Sequence, residues 1–220
     1  MIHSPNFYGF PPKIMSLLKK HYPEAKIVLN FNNNWELLVA VVLSAQCTDK
    51  MVNKVTSTLF KKYSVLDDYI KADFNEFAAD IKPTGFYRQK AKNILSTANM
   101  IKTEYKGHVP DTMSDLLKLP GVARKTANII LGNAFAKSEG IAVDTHVRRL
   151  SQRLGLTKNS NPVKIEIDLM KLFDRREWFQ LTYLFIEHGR RICNAKKPKC
   201  DQCFLNQLCP CAFRFPHFVT

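Results

Sequence analysis

The sequence context of Lys125 is that of a nucleophilic lysine. It follows a Pro-Gly turn in the segment LPGVARKTA, Leu119 to Ala127. Because Lys125 falls in the first turn of a predicted helix, the helix dipole and the neighbouring Arg124 both disfavour its positive charge. A lysine that loses its proton readily is a nucleophile, whereas the simpler interpretation is a solvated lysine. Asp144, in the segment VDTH, precedes another predicted helix, where its simplest role is an N-cap.

A cysteine cluster follows near the end of the sequence. Five of the six cysteines lie between Cys193 and Cys211. Four of them form the pattern C-x6-C-x2-C-x5-C, at Cys193, Cys200, Cys203 and Cys209. Four soft thiolates in a chain expected to be cytosolic favour a metal site over disulfides or unligated thiols. Zinc and an iron–sulfur cluster both fit, and the single close pair favours iron–sulfur.

The apolar residues of the segments that must position Lys125, Asp144 and the cysteines recur at helical spacing. Ala91, Ile94 and Ala98 recur at helical spacing, as do Ala127, Ile130 and Ala134, whereas no apolar–polar alternation is sustained. Proline and glycine breakers separate about nine or ten predicted helices. The segment from Trp35 to Gln46 is apolar nearly all round, which predicts a buried helix. The predicted fold class is all-α.

The Pro-Gly turn lies between two predicted helices. A short helix spans Ser114 to Leu119, and a longer one starts near Arg124. Unpaired N–H groups at the start of a helix, together with the helix dipole, bind phosphate without reading base sequence. The segment therefore predicts a helix–hairpin–helix phosphate clamp, with an ordinary αα-hairpin as the alternative.

The charge balance points to a polyanionic partner. The 220 residues carry 33 Lys and Arg against 19 Asp and Glu, a formal charge of +14. Nucleic acid is one such partner, and a solvated basic surface is the alternative. The longest apolar run, Leu37 to Leu43, is far below the ~20 residues that span a bilayer. The first residues lack the pattern of a signal peptide, so we expect a cytoplasmic protein without a membrane partner.

The order of these motifs resembles the endonuclease III family of DNA base-excision glycosylases and AP lyases. The hairpin, the VDTH segment and the cysteine pattern follow one another as in that family. LSAQCTD, Leu43 to Asp49, and the turn Thr84 to Tyr87 followed by KAKNI are also similar to family motifs. The resemblance extends over about residues 13 to 209.

The resemblance implies two helical domains that flank a DNA-binding cleft. A six-helix barrel domain, residues 27–137, would carry the helix–hairpin–helix. Residues 1–26 together with 138–220 would form the iron–sulfur domain and hold a [4Fe-4S] cluster. The implied partner is damaged double-stranded DNA, bound by a monomer in the cytoplasm and associated with the nucleoid.

The resemblance also implies roles for individual residues. Lys125 is the nucleophile, Asp144 the catalytic carboxylate, and the four cysteines the cluster ligands. The DNA contacts are Gln46 in the gap left by the extruded base, Phe86 as wedge, the amides of Gly121 and Ala123, and Arg124 and His146. His146 is also placed to orient Asp144. The implied activity is removal of oxidised pyrimidines, followed by β-elimination 3′ to the abasic site through a lysine Schiff base.

Two positions depart from the commonest family pattern. Ala123 stands where a second glycine is usual, and Phe86 is bulkier than the expected leucine. We expect the hairpin to survive with Ala123, because alanine is costly only where φ is positive. The related adenine glycosylase is disfavoured because it lacks a lysine at the position of Lys125. A non-catalytic helix–hairpin–helix DNA-binding protein and a zinc-ribbon RNA binder are the alternatives outside that enzyme class.

Overall fold

The computed structural model describes residues 10–218, and these fold as an all-α protein without a strand among them. The described α-helices are α1 (Phe10–His21), α2 (Asn34–Leu43), α3 (Asp49–Lys62), α4 (Leu66–Lys71), α5 (Phe74–Asp80), α6 (Tyr87–Glu104), α7 (Met113–Leu116), α8 (Arg124–Phe135), α9 (Thr145–Arg153), α10 (Pro162–Leu172) and α11 (Trp178–Arg191). Short 3₁₀ turns lie at Lys82–Thr84, Arg175–Glu177, Cys200–Gln202 and Asn206–Leu208. The described helices outnumber the predicted nine or ten because α4 and α7 are only 6 and 4 residues long.

The chain divides into two compact units. One, the central unit, spans residues 28–139, and the other, the discontinuous unit, joins residues 10–27 to residues 140–218. The divisions fall after Ile27 and after Glu139, whereas the sequence placed them after residues 26 and 137. In the central unit, seven helical segments, α2 to α8, replace the predicted six.

Helix α2 forms the centre of the central unit. The side chain of Asn33 caps its start by accepting a hydrogen bond from the backbone N–H of Glu36, and residues 36–43 are all buried. The predicted helix to Gln46 is too long, because the backbone turns after Leu43. The N–H of Cys47 donates to the carbonyl of Ser44 at 3.1 Å, and Gln46 takes a left-handed φ of 54°.

Helices α1, α9, α10 and α11 form the core of the discontinuous unit. The apolar face of α9 packs into this core, since Val147, Leu150 and Leu154 are buried together. Helix α11 packs closely on α9 at Gly189, where an added Cβ would lie 2.7 Å from Nδ1 of His146. Within residues 10–218, no helix is both long and apolar enough to cross a bilayer.

Candidate active site and metal centre

The hairpin turn lies between α7 and α8. Helix α7 ends at Leu116 and not at the predicted Leu119, and the N–H of Val122 donates to the carbonyl of Leu119 at 3.1 Å. Gly121 has a φ of 80°, and an added Cβ would lie 2.6 Å from Nδ2 of Asn93 on α6. Glycine is therefore required at this position by both the backbone conformation and the space.

Ala123 does not require glycine. Its φ of −91° and ψ of 170° are extended values that any residue adopts, so the expectation that the hairpin survives with alanine is confirmed. Ala123 is the N-cap of α8 and makes no side-chain capping hydrogen bond. The first N–H groups of α8 are therefore donors for an anion at this helix end.

Lys125 is the second residue of α8, as the sequence predicted, and its side chain is exposed. Helix α8 has no acidic residue in its first turn, where Arg124 precedes Lys125. The exposed amine therefore lies at a helix start, the kind of position where phosphate groups bind.

Asp144 caps α9 from the N-terminal side. Its Oδ1 accepts a hydrogen bond from the backbone N–H of Val147 at 2.7 Å, and its side chain is half-buried. The N-cap interpretation of Asp144 is therefore correct. A carboxylate has two oxygens and about four acceptor positions, so capping leaves chemical capacity for a catalytic role. Lys125 belongs to the central unit and Asp144 to the discontinuous unit.

Gln46 and Phe86 occupy similar positions in two loops of the central unit. Gln46 has a φ of 54° and Phe86 a φ of 48°, so both are non-glycine residues in the left-handed region. Both side chains are exposed, and Phe86 leaves 66% of its surface uncovered. Exposed side chains on strained backbone are typical of functional positions.

His146 lies in the first turn of α9. Its Nδ1 is 3.1 Å from Nη2 of Arg149, which also donates to the carbonyl of Gly189 at 2.9 Å. Arg149 extends this network towards the cysteines, because its Nε donates to the carbonyl of Cys193 at 3.0 Å. Sequence reasoning missed Arg149, since its spacing on α9 gave no sign that it reaches the loop beyond α11.

The four patterned cysteines surround one cavity. Cys193 follows α11, Cys200 begins a 3₁₀ turn, and Cys203 and Cys209 each directly follow one. All four line the cavity, together with Leu150, Leu154, Leu205, Phe215 and further apolar residues. Within residues 10–218, no cluster of His, Cys, Asp or Glu is arranged to hold a single metal ion. Four thiols around an apolar space fit a multi-iron cluster, which is larger than one zinc ion.

Several hydrogen bonds to sulfur support the same fit. Nη1 of Arg153 donates to Sγ of Cys193 at 3.3 Å, and Nε2 of His188 lies 3.4 Å from Sγ of Cys203. Burial raises the pKa of the Cys203 and Cys209 thiols to about 11, against backbone hydrogen bonds that lower it. Iron must therefore displace these protons when a cluster binds.

The segment after Cys209 covers the cavity. Ala212 and Phe215 line it, and the Phe215 ring lies 4.5 Å from the guanidinium carbon of Arg153. His217 Nε2 lies 3.0 Å from the carbonyl oxygen of Pro198, which joins this segment to the cysteine loop. Cys211 is partly buried and does not line the cavity.

The basic residues near the cysteines form an exposed group. Their members are Arg190, Arg191, Lys196, Lys197 and Lys199. Arg191 is engaged within the fold, because it pairs with Glu187 and lies 5.5 Å from the centre of the Tyr22 ring. The three lysines lie in the loop between the first two cysteines and present positive charge to solvent.

Comparisons with known proteins identify two matching family models. Residues 39–175 match the HhH-GPD superfamily base excision DNA repair protein, and residues 193–209 match the iron–sulfur binding domain of endonuclease III. Endonuclease III of Synechocystis sp. is 50% identical over 200 residues, which cover 91% of each chain. Endonuclease III of Bacillus subtilis is 46% identical over 189 residues, which cover 86% of each.

Two solved structures share the fold over most of the chain. A non-covalent endonuclease III–DNA complex is 44% identical, with a TM-score of 0.87 over 90% of this chain and 93% of that one. A trapped endonuclease III–DNA covalent intermediate is 43% identical, with a TM-score of 0.86 over 91% of this chain and 95% of that one.

Proposed function

The chain belongs to the endonuclease III family of base-excision glycosylases and AP lyases, and we propose that Lys125 is its nucleophile and Asp144 its catalytic carboxylate. An enzyme of this family removes oxidised pyrimidines from duplex DNA and nicks the strand 3′ to the abasic site. The observation that carries the assignment is the placement of Lys125. It is an exposed amine in the first turn of α8, directly after a turn that presents backbone donors to phosphate.

Access to the reacting carbon requires base extrusion. A base stacked in a duplex is out of reach, and extrusion costs a few kcal/mol, least for damaged bases. Gln46 fills the gap in the stack, and Phe86 enters beside it as the wedge. Their exposure and left-handed backbone support these roles, because both side chains project from the loops that hold them.

The chemistry proceeds through covalent attachment of Lys125. Its neutral amine attacks the sugar C1′, the bond from C1′ to the damaged base breaks, and the base leaves with a proton. The lone pair of the nitrogen then breaks the bond between C1′ and the ring oxygen, the ring oxygen takes up a proton from solvent, and a protonated imine remains at C1′. Loss of a C2′ proton then breaks the bond between C3′ and its phosphate oxygen, which is β-elimination. Water hydrolyses the imine and frees Lys125.

Asp144 acts on the charge that develops during this sequence. Its carboxylate stabilises the positive charge at the sugar and accepts the proton that Lys125 must lose. The cap on α9 supports this role, because the hydrogen bond from Val147 fixes the carboxylate at the helix start. His146 and Arg124 contribute to DNA contact, and the first amides of α8 with those of the Gly121 turn hold phosphate.

The chain carries a [4Fe-4S] cluster, as its iron–sulfur domain indicates. We propose Cys193, Cys200, Cys203 and Cys209 as the ligands, and their positions around one cavity support that set. With four thiolate ligands the cluster supplies structural bonds and no open coordination position. Lys196, Lys197 and Lys199, in the loop that these ligands fix, contact phosphates of the DNA backbone.

The covalent step is tested by trapping. Borohydride reduces the imine, so wild type should become attached to duplex DNA that contains an abasic site. Lys125→Gln should give no attached product, and equally efficient trapping by that variant would overturn the assignment. Lys137→Gln is the matched control, since Lys137 is exposed beyond the other end of α8 and pairs with Asp111.

The remaining inferences concern location and assembly. We infer that the protein works as a monomer on chromosomal DNA in the cytoplasm, in association with the nucleoid. Sedimentation of the free protein and of its complex with a short damaged duplex tests the monomer, because a dimer would double the protein mass in either sample.

A further inference from the structure

Lys90 is a buried lysine to which the motifs assign no role. It lies in α6 and is only 5% exposed. It is the first of the buried residues of α6, which continue with Ala91 and Ile94. Its Nζ donates to the carbonyl of Leu43 and to the carbonyl of Thr84, both at 2.8 Å. A lysine is rarely buried, so its two acceptors must replace the water that the ammonium has lost.

Each acceptor stands two or three positions before one of the two proposed DNA-contacting residues, Gln46 and Phe86. Leu43 is the last residue of α2, three positions before Gln46, and its carbonyl lies at the negative end of the helix dipole. Thr84 ends the 3₁₀ turn, two positions before Phe86. One ammonium therefore connects the starts of the two loops, at Leu43 and Thr84. The two carbonyl oxygens lie no farther apart than twice 2.8 Å.

The backbone of Lys90 reinforces the same connection. Its N–H donates to the carbonyl of Phe86 at 3.0 Å, the first hydrogen bond of α6. Lys90 thus contacts the residue before Gly85 with its side chain and the residue after Gly85 with its backbone. Non-glycine residues persist in the left-handed region only where their surroundings fix them, and the bonds of Lys90 to Leu43, Thr84 and Phe86 hold the chain next to or at both positions.

Burial and hydrogen bonding act on the ammonium in opposite directions. Burial lowers the pKa of Lys90. The two carbonyls accept hydrogen bonds from the charged form and so favour it. The N–H donors matter because an apolar side chain of similar length leaves both carbonyls without a partner.

We propose that Lys90 is a positioning residue that fixes the Gln46 loop to the Phe86 loop, so that both side chains enter the duplex as one unit. The inference rests on the proposed roles of Gln46 and Phe86 and goes beyond them. Lys90 touches neither the reacting atoms nor the DNA. It acts on base extrusion, before Lys125 attacks.

The first test replaces the ammonium by an apolar group. Lys90→Met should slow single-turnover excision of thymine glycol from duplex DNA by roughly ten- to hundredfold, because small misplacements of positioning groups have effects of that size. Binding to undamaged duplex should change by less than about twofold, since the phosphate contacts are intact. Lys61→Met, at an exposed position of α3, is the matched control and should change neither quantity.

A fluorescence measurement separates positioning from general destabilisation. The fluorescence of 2-aminopurine opposite the lesion rises when the stack opens, and the rise should be slower with Lys90→Met at a temperature where both proteins are fully folded. Combination with Gln46→Ala should be non-additive, because residues that act as one unit share their effect. The proposal would be overturned if the rate losses of the two single variants multiplied in the double variant. It would also be overturned if Lys90→Met opened the stack and excised the base at the wild-type rates.

Failure of the proposed roles of Gln46 and Phe86 can be distinguished from failure of the proposed role of Lys90. If Gln46→Ala and Phe86→Ala both excise at the wild-type rate, the proposed gap and wedge roles fail. If they are slow while Lys90→Met is fast, only the role of Lys90 fails. Should Lys90→Met not fold, Lys90→Arg keeps the charge and donors, and it should open the stack faster than Lys90→Gln. The reverse order would contradict the proposal.

Discussion

A side chain on Gly121 would collide with Asn93, because an added Cβ would lie 2.6 Å from Nδ2 and 3.1 Å from Cβ of that residue. The hairpin is further held to α6 by Thr97, whose hydroxyl donates to the carbonyl of Pro120 at 3.1 Å. The phosphate-binding turn is therefore positioned by α6 as well as by its own two helices.

Gly121→Ala should weaken both stability and DNA binding. The φ of 80° costs an alanine about 1–2 kcal/mol, and the collision with Asn93 adds to this. Ala123→Gly is the matched control and should change stability by less than about 1 kcal/mol, because the added backbone entropy is offset by the preference for glycine over alanine at an N-cap. Chemical denaturation and duplex affinity measure the two effects. The double variant Gly121→Ala, Asn93→Ala should recover part of the loss, and no recovery would show that the collision is unimportant.

Two substitutions at Asp144 separate its capping role from its catalytic role. Asp144→Asn keeps a good N-cap, so the free energy of unfolding should change little while excision slows strongly. Asp144→Ala removes the cap as well and should cost about 1 kcal/mol of stability. Denaturation and single-turnover excision distinguish them. Wild-type excision by Asp144→Asn would leave this residue with the capping role alone.

Ionisation of Tyr63 should lower the free energy of unfolding at high pH. Burial, and then the hydrogen bond from its hydroxyl to Oδ2 of Asp80, raise the pKa of Tyr63 to about 12. Between the unfolded value of 10.0 and about 12, the folded state keeps a proton that the unfolded state has lost. This contribution is fully present below pH 10 and is lost as the pH rises towards 12.

Tyr63→Phe tests this contribution. The variant should be less stable near neutral pH by about 1 kcal/mol, because the hydrogen bond to Asp80 is lost. Its free energy of unfolding should then fall less steeply than that of wild type above pH 10, where only the wild-type tyrosine ionises. Denaturant titrations at several pH values measure both slopes, and parallel slopes would contradict the assignment.

Cys209 and Cys211 form a matched pair for the metal centre. Anaerobically purified wild type should be brown with about four irons per chain, the content of one [4Fe-4S] cluster. Cys211→Ser should keep the colour and the iron, because Cys211 does not line the cavity. Cys209→Ser should lose both and should melt at a lower temperature. Iron analysis and visible absorption decide the point, and a colourless wild type with one zinc would refute the cluster.

The lysines between the first two cysteines should control the salt dependence of binding. Replacement of Lys196, Lys197 and Lys199 by alanine should flatten the plot of log affinity against log salt by about 0.9 for each phosphate that the protein no longer neutralises. Selectivity for damaged over undamaged duplex should stay nearly constant, since phosphate contacts carry no base information. An unchanged slope would remove these lysines from the DNA interface.

The sequence predicts the parts of the site that depend on local spacing. The cysteine pattern, the hairpin and the start of α8 each depend on residues close together in the chain, and the all-α fold follows from helical periodicity. The survival of the hairpin with Ala123 was also predicted, and the negative φ at this position gives the reason.

Long-range contacts were beyond sequence reasoning. The burial of Lys90 depends in part on the carbonyl of Leu43, 47 positions away in the chain, and lysine is ordinarily assigned to the surface. Arg153 likewise reaches the cysteine loop, some forty positions later, through Nη1 and Nη2. The early end of α2 at Leu43 was missed because no proline or glycine follows it, and Ser44, Ala45 and Gln46 carry no signal that stops a helix.

Helix α9 links the proposed carboxylate to the metal centre. Asp144 caps one end, and Arg153 at the other end donates to Sγ of Cys193 and to the carbonyls of Asn194 and Ala195. Helix α9 has nine residues and is therefore about 13 Å long. The helix that fixes the proposed carboxylate at one end is thus held by the cysteine loop at its other end. The cysteine loop is therefore part of the structural support of Asp144, and its contribution to the site is mechanical.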